Sequence, residues 1–488
     1  MRYLAFDLGA ESGRAIVGAL KDGRLTLEEI YRFPNEPVRV PDGLHWDVLR
    51  LFHEMKEGLR RAAARYGKAL KSMAVDTWGV DFALLGEKDI LLGNPYHYRD
   101  RRTEGVMEEA FKVVPKEEIF AQTGIQFLPF NSLYQLLACR QQQPALLGQA
   151  QTMLMIPDLF NFFFTGVKAG EFTNATTTQM YNPRAGTWAV DLLTRLDLPV
   201  HILPDVHPPA TVLAPVLPRV AGETGAAEIT VIVPGSHDTA SAVAAVPATG
   251  TDYMYISCGT WSLVGTEVKE PVIDEQTLQL NFTNEGGVGG TFRLLKNVTG
   301  LWLVQECRRT WARRGETLSY SDLTAMAVEA QPLPAVVDPD HPAFLSPENM
   351  PEAIRAYCRE TGQPVPETKG EIVRCALESL ALKYRWVLER LEAIVGKRLA
   401  VVHMVGGGTQ NELLCRFTAN ATGRPVVAGP VEATAAGNLL VQAMAMGEIN
   451  NLDEGREIVR RSFSLKTYEP ENQGAWDEKY AKFIELVS

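Results

Sequence analysis

The chain has 488 residues, 46% of them apolar and 22% charged, with 48 basic against 59 acidic side chains and a net charge of −11. That length exceeds one ordinary core and predicts two large domains, in a composition typical of globular proteins. The absence of a basic block argues against a nucleic-acid partner, and no apolar run approaches the roughly 18–20 residues of a membrane span.

Asp7 interrupts the first apolar run too early for a signal peptide, which points to a cytoplasmic protein. The six cysteines (Cys139, Cys258, Cys307, Cys358, Cys375, Cys415) form no CxxC and read as small buried apolar residues. Pairing of Cys358 with Cys375 across a loop is the alternative.

Tyr3 to Phe6 is apolar and β-prone. Asp7, Gly9, Ser12 and Gly13 then make a turn, and Ala15 to Leu20 reads as the return strand. A carboxylate at a strand end, followed by glycines and a hydroxyl, suits a metal–phosphate: the acid holds hydrated Mg²⁺ while glycines let backbone N–H groups approach. The same pattern also suits an ordinary Gly-rich hairpin. Asp22-Gly-Arg is a second turn, leading to a third strand over 25–33. Trp46 to Arg65 has helical apolar spacing, and strands follow at 72–77 and 82–85.

Asp76-Thr-Trp-Gly-Val-Asp81 offers two carboxylates, a hydroxyl and an indole, a set that can grip a polyol. A strand-to-turn junction with a buried Trp is the plainer reading. Tyr98-Arg-Asp-Arg-Arg102 reads as a solvated charged face, Asn131 as the cap of a helix, and residues 158–164 as a buried helix ended by Gly166. The prolines between Pro204 and Pro218 mark an extended connection. Ile229 to Val233 is a buried strand running into Pro234-Gly-Ser-His-Asp-Thr, where Asp238 reads either as a helix N-cap or as a general base.

Pro247, Thr249 and Gly250 break the pattern, and beyond them the plan repeats. Tyr253 to Ser257 is a strand, Cys258-Gly-Thr260 a turn and Trp261 to Thr266 the return, which suggests two like-folded domains. Residues 284–290 read as a flexible glycine loop, 294–305 as the beginning of a helix, and 331–351 as a surface excursion. A long helix spans 371–395, stopped by Gly396. The strand 399–405 runs into Gly406-Gly-Gly-Thr-Gln-Asn411, three glycines that are costly unless something must come close. Residues 425–428 and the small-residue helix 432–446, with Ala435, Ala436 and Gly437 permitting tight packing, follow. Neither GxGxxG nor GxxxxGK[ST] occurs.

As an ordered set, these stretches resemble the FGGY carbohydrate kinases of the actin, hexokinase and Hsp70 ATPase superfamily. The set comprises Asp7-Leu-Gly-Ala-Glu-Ser-Gly-Arg14, Asp76-Thr-Trp-Gly-Val-Asp81, Asn131-Ser-Leu-Tyr-Gln-Leu, His237-Asp-Thr, Ser257-Cys-Gly-Thr-Trp-Ser262, Asn284-Glu-Gly-Gly, Lys296-Asn-Val-Thr-Gly-Leu-Trp302 and Gly406-Gly-Gly-Thr-Gln-Asn411. The likeness extends over nearly the whole chain and is strongest to the branch that acts on L-rhamnulose. Members of that branch more often carry Ser where this chain has Glu11, whose side chain is therefore expected to point away from the phosphates.

The resemblance implies an α/β fold of two RNase H-like domains around a central cleft: residues 1–246 mainly for sugar and 247–488 mainly for ATP. It implies that Ala10, Glu11, Ser12, Gly13, Arg14 and Thr260 hold phosphates, that Gln305 and Gly407 contribute to the nucleotide site, and that Gly79, His237, Asp238, Thr239 and Asn297 contact the sugar. Asp238 matches the catalytic base and Asp7 the residue that positions hydrated Mg²⁺. The implied reaction is transfer of the γ-phosphoryl of ATP to the 1-hydroxyl of L-rhamnulose, by a monomer or homodimer, with an ordinary low pKa sufficing for Asp238. The alternatives are another FGGY specificity (L-fuculose or a pentulose), a non-catalytic sugar or nucleotide sensor, and an Hsp70-like ATPase.

Overall fold

The computed structural model describes residues 1–487 apart from 227, 333 and 334. Two compact units form. The first comprises Met1–Ala245, Glu267–Leu294 and Ala433–Ser462; the second comprises Val246–Thr266, Leu295–Glu432 and the chain from Phe463 onward.

In the first unit the apolar N-terminus becomes β1 (Arg2–Leu8), buried from Tyr3 to Leu8. Strands β2 (Ser12–Lys21) and β3 (Arg24–Pro34) continue it as an antiparallel meander that sets Asp7 opposite Arg14. Gly13 is needed here for packing: a Cβ would lie 2.2 Å from the Phe33 ring on the neighbouring strand. Helix α1 (Val48–Tyr66) starts where the Asp47 carboxylate accepts the Arg50 N–H at 3.1 Å, and it buries Val48, Leu51, Met55, Leu59 and Ala62. Strand β4 (Leu70–Thr77) then pairs parallel to β1, with Asp76 beside Asp7.

The proline-rich stretch is more than a connection. Thr211–Pro215 forms β5, an edge strand, beside β6 (Thr230–Val233), giving the sheet order β5-β6-β4-β1-β2-β3. An edge tolerates proline because one side of the strand donates to no neighbour. Helix α2 (Asp238–Ala244) follows directly.

Two further expectations are corrected in this unit. Asn131 precedes the helix Ser132–Gln142 without capping it. Its amide donates instead to the Gln126 carbonyl (2.8 Å) and to Gln179 (3.0 Å). The arginine cluster is only partly a solvated face: Arg101 is exposed, but Arg102 lies over the Tyr96 ring and donates to Gln135 at 2.9 Å.

The second unit opens the same way. Strands β7 (Tyr253–Cys258) and β8 (Trp261–Val268) make a hairpin around Gly259 and Thr260. The expected glycine loop, which belongs to the first unit, contains a buried strand, Thr283–Gly286; the chain enters the second unit within β9 (Phe292–Thr299), so helix α3 (Trp302–Arg313) starts later than expected. Pairing and burial of the backbone won there over the turn signal of the glycines. Helix α4 (Lys369–Val395) is capped by reciprocal Thr368–Glu371 bonds and stopped by Gly396 at φ 66°. Strand β10 (Val401–Val405) pairs parallel to β7; helix α5 (Glu412–Thr422) and strands β11 (Val426–Ala428) and β12 (Lys466–Tyr468) follow. The sheet of this unit runs β9-β8-β7-β10-β11-β12.

The expected surface excursion is partly core. Ala335, Val336 and Val337 are fully buried, and the Val337 N–H bonds Ser379 at 2.9 Å; residues 333 and 334 lie outside the described residues. All six cysteines are buried and unlinked, Cys358 and Cys375 included.

The chain then returns to the first unit with α6 (Ala433–Ala445), which packs on α2, β1 and β4. Its small residues permit a very close approach: a Cβ on Gly437 would lie 1.7 Å from the Ser241 carbonyl oxygen. Two polar residues one turn apart tie it down. Asn438 donates to Asp76 at 2.6 Å; Gln442 donates to the Leu4 carbonyl (3.0 Å) and accepts from Ser72 (2.6 Å).

Candidate active site

Three acidic side chains meet at one end of the first sheet. Asp7 closes β1, Asp76 closes β4, and Asp238 opens α2; the Thr77 N–H bonds the Ser236 carbonyl at 2.9 Å, which ties the end of β4 to the segment before Asp238. Arg14, opposite Asp7, forms an ion pair with it. Asp76 is completely buried. Its Oδ2 takes the Asn438 bond, while its Oδ1 has no partner among the described residues. Burial first, then the Asp7 charge, push its carboxyl well above the usual carboxylate range.

Asp238 is the accessible member, its side chain 30% exposed. It is the first residue of the helix, one past the cap position held by His237. The Thr239 N–H (2.6 Å) and Oγ1 (3.3 Å) both donate to Asp238 Oδ1. The second oxygen, Oδ2, has no partner among the described residues. Desolvation by the surrounding protein raises this carboxyl above its ordinary value; His237 opposes the shift and the Asp7 charge adds to it. The carboxyl is thus a stronger base than the ordinary acid that would suffice.

His237 stands beside it, Nε2 at 3.5 Å from Asp238 Oδ1, its backbone N–H bonded to Thr173 Oγ1 at 3.1 Å. Behind His237 lie two buried charged residues: Glu285, quoted above only within the stretch Asn284-Glu-Gly-Gly, and Arg293, which sequence reasoning missed. The available signal was an arginine inside the apolar run Phe292-Arg-Leu-Leu. Asn438 was missed too; the signal there was a polar pair, Asn438 and Gln442, in an otherwise small and apolar helix.

Asp76 and Asp81 part company. Asp81 is buried away from the acidic cluster and accepts from both indoles, Trp46 at 2.6 Å and Trp78 at 3.0 Å, and from Gln135 at 2.8 Å. It holds the two indoles against each other (centroids 4.0 Å apart, planes tilted by 34°) rather than facing a ligand. Burial raises its carboxyl to about 6 against those three hydrogen bonds. The folded chain therefore binds this proton more tightly than the unfolded chain, whose value is about 3.9. Stability falls as pH rises through the window from about 4 to 6, by about 3 kcal/mol in total. Asp81→Asn is expected to remove that slope: urea midpoints at pH 4, 5, 6 and 7 should show the variant gaining on the parent. A pH-independent difference would refute the assignment.

Gly79 lies on the turn between Asp76 and Asp81, where a Cβ would stand 3.1 Å from Thr177. In the first hairpin, Ala10 and Glu11 form the tip. Glu11 is exposed, its carbonyl accepts the Asn35 N–H at 3.1 Å, and the Arg32 guanidinium reaches Ser12 Oγ at 3.5 Å.

In the second unit the hairpin tip gathers the other chosen residues. The Thr260 carbonyl accepts the N–H groups of Gly300 (3.1 Å) and Trp302 (3.2 Å), which joins the tip to the start of α3, where Gln305 follows one turn on. The Gln305 Oε1 is buried without a partner among the described residues. Asn297 lies half-buried on β9. The triple glycine resolves into three separate cases. Gly406 has φ 87°; Gly408 abuts Cys258, whose Sγ would lie 2.2 Å from an added Cβ; around Gly407 an added Cβ meets nothing within 4 Å. Protein packing accounts for two of the three, and the third faces open space beside the hairpin tip.

Among the described residues no three His, Cys, Asp or Glu side chains form a ready-made metal site. The carboxylates of Asp7 and Asp76, the latter with a buried partnerless oxygen, nevertheless fit a hydrated Mg²⁺, which keeps most of its waters and takes one or two carboxylates.

Residues 2–245 match the N-terminal domain, and residues 254–446 the C-terminal domain, of the FGGY family of carbohydrate kinases. A rhamnulokinase of Bacteroides thetaiotaomicron is 45% identical over 485 residues, 99% of each chain, and one of Oceanobacillus iheyensis is 42% identical over 95% of this chain and 97% of its own. Among solved structures, a ligand-bound xylulose kinase from Lactobacillus acidophilus superposes with a TM-score of 0.83 at 18% identity, covering 99% of this chain and 97% of that one. Plasmodium falciparum glycerol kinase with ADP gives 0.79 at 14%, covering 100% and 97%. Those structures share the expected α/β fold, and the chain, an enzyme of the sugar-kinase class, belongs to the FGGY family of carbohydrate kinases.

Proposed function

We propose that this kinase transfers the γ-phosphoryl group of ATP to the 1-hydroxyl of L-rhamnulose, giving L-rhamnulose 1-phosphate and ADP. The sugar rests on the 45% identity, over 99% of both chains, to a rhamnulokinase. The chemistry rests on Asp238, a recessed carboxylate with one oxygen held by Thr239 and the other unpartnered among the described residues.

In this reading Gly79, His237, Asp238, Thr239 and Asn297 bind the sugar, residues 1–246 serving mainly the sugar and 247–488 mainly ATP. Asp238 Oδ2 accepts the hydroxyl proton as the O–P bond forms. A loose transition state delays that transfer, and a carboxyl raised by its surroundings accepts it more readily. Ala10, Glu11, Ser12, Gly13 and Arg14 of the first hairpin and Thr260 of the second receive phosphates; Gln305 and Gly407 receive the rest of the nucleotide. The open space around Gly407 and the partnerless Gln305 oxygen support that placement. Mg²⁺, when bound through water to Asp7, supplies charge neutralisation on the phosphates. Dependence on ATP suits the cytoplasm; among the described residues no helix is long and apolar enough to cross a membrane.

The test is ADP release with ATP and Mg²⁺ on a sugar panel: L-rhamnulose, L-fuculose, D-xylulose, L-ribulose, glycerol and no sugar. Release should depend on L-rhamnulose and exceed that with every other sugar. Preference for another member of the panel would discard the sugar while keeping the Asp238 chemistry. Release independent of any sugar would discard both.

A further inference from the structure

The buried pair behind His237 has a consequence for the site. Arg293 is completely buried on β9, and Glu285 nearly so on the strand Thr283–Gly286. Arg293 Nε donates to the Gly286 carbonyl at 2.8 Å, which fixes the plane of the guanidinium. Its Nη2 lies 3.1 Å from Glu285 Oε2 and 3.2 Å from His237 Nδ1. Glu285 Oε2 is also 3.2 Å from His237 Nδ1. Three charged or titratable groups therefore converge within one hydrogen-bond length, on the face of His237 away from Asp238.

A guanidinium nitrogen has only hydrogens to offer. Its bond to Nδ1 therefore requires Nδ1 to supply a lone pair, and the ring proton must sit on Nε2. Glu285 balances the arginine charge, so the arrangement buries no net charge. A ring protonated at Nδ1 would set two donors, Nδ1–H and Nη2–H, against each other at 3.2 Å; the equally short approach of Glu285 Oε2 to Nδ1 is a charge contact in which no hydrogen bond is made, so the arginine bond decides the tautomer. At the other end of the ring, Nε2 stands 3.5 Å from Asp238 Oδ1. An Nε2–H is attractive there; an Nε2 lone pair would face carboxylate lone pairs.

We propose that Arg293, charge-balanced by Glu285, is a positioning residue that fixes His237 as the Nε2–H tautomer and so presents a hydrogen-bond donor beside the Asp238 carboxylate. A donor of this kind orients the carboxylate that receives the proton. The inference rests on the reading of Asp238 as the base only for its catalytic consequence, since the tautomer is a property of the protein alone.

The test begins with the full chain labelled with ¹⁵N at its eight histidines. The His237 signals are assigned by their loss in His237→Gln and followed across the neutral range. The expected pattern is a protonated Nε2 and a bare Nδ1. A bare Nε2, or protonation of both nitrogens throughout, overturns the proposal, and the parent protein alone gives that answer even if every Arg293 variant misfolds.

Arg293→Met should move the proton to Nδ1, towards Glu285, and lower kcat/KM for the sugar by about 10- to 100-fold, the usual worth of a partner that sets an imidazole's orientation. KM for ATP should be unchanged, and Arg293→Lys, which restores a donor, should recover part of the loss. Equal losses for sugar and ATP, with no recovery in Arg293→Lys, would mark a merely structural residue. If Asp238→Asn kept full turnover while the Nε2–H tautomer was observed, the base assignment would fail and the tautomer assignment would stand. Lost turnover in Asp238→Asn together with a bare Nε2 in the parent would keep the base and overturn the tautomer.

Discussion

Asp238→Asn is expected to lower kcat by roughly 10²–10⁴, the span of a lost general base, while KM for the sugar stays near the parent value. The substitution is isosteric, and an Asn oxygen turned towards Thr239 keeps both donors that now reach Asp238 Oδ1. What disappears is the oxygen that accepts the proton. The physical setting adds a second, opposite sign. Burial and the Asp7 charge make the ionised form of Asp238 unfavourable in the folded protein. Ionisation therefore costs stability once pH exceeds the unfolded value, and the amide escapes that cost. Thermal stability at neutral pH should rise or hold while turnover collapses, a divergence that a misfolded variant cannot produce. The raised carboxyl also places the acid limb of kcat/KM above the usual carboxylate range. Turnover within tenfold of the parent, measured with saturating ATP and sugar, would sink the assignment.

Gly437→Ala is expected to be the most damaging single methyl in the first unit. The added carbon would lie 1.7 Å from the Ser241 carbonyl oxygen and 2.6 Å from its carbonyl carbon. These are backbone atoms of α2, so no side chain can swing aside. Helices α6 and α2 must separate, at about 3 kcal/mol or more. Because α2 carries Asp238 at its first turn, and α6 carries the Asn438 that holds Asp76, activity should fall in whatever fraction still folds. Gly474→Ala is the matched control: an added Cβ there meets nothing within 4 Å, and it should leave stability within about 1 kcal/mol. Equal melting temperatures for the two variants would refute the packing argument.

The catalytic ends of the strands were legible because their chemistry is local. Asp7 follows four apolar residues, Asp238 follows a buried strand and a Pro-Gly turn, and each requires only its neighbours to be placed. The echo at Cys258-Gly-Thr260 was legible for the same reason, and the structure shows the same hairpin beside a parallel strand in both units. Partnerships across long separations were not legible. Nothing adjacent to Asp81 announces that Trp46 will claim its oxygen, and nothing beside His237 points to Arg293, 56 residues on. Asn131 had the right residue type for a cap, yet its amide was already committed to Gln126 and Gln179. At Thr283–Gly286 the glycine signal misleads, because glycine is a turn former in isolation, whereas Gly286 is there to admit Phe172, whose ring would lie 2.6 Å from a Cβ.

The return of α6 has an implication for the order in which the protein is made. The first sheet leaves the ribosome early, yet the helix that covers β1 and β4, and the amide that satisfies Asp76, are encoded about 200 residues later. At typical synthesis speeds of about 5–20 residues per second, that interval lasts about 10–40 s. Throughout it, the nascent N-terminal half carries an uncovered apolar sheet face and a carboxylate without its amide. A fragment ending near residue 246 would be frozen at that stage: a chaperone client rather than a domain, recoverable only when residues 433–462 are supplied, in the same chain or as a separate peptide.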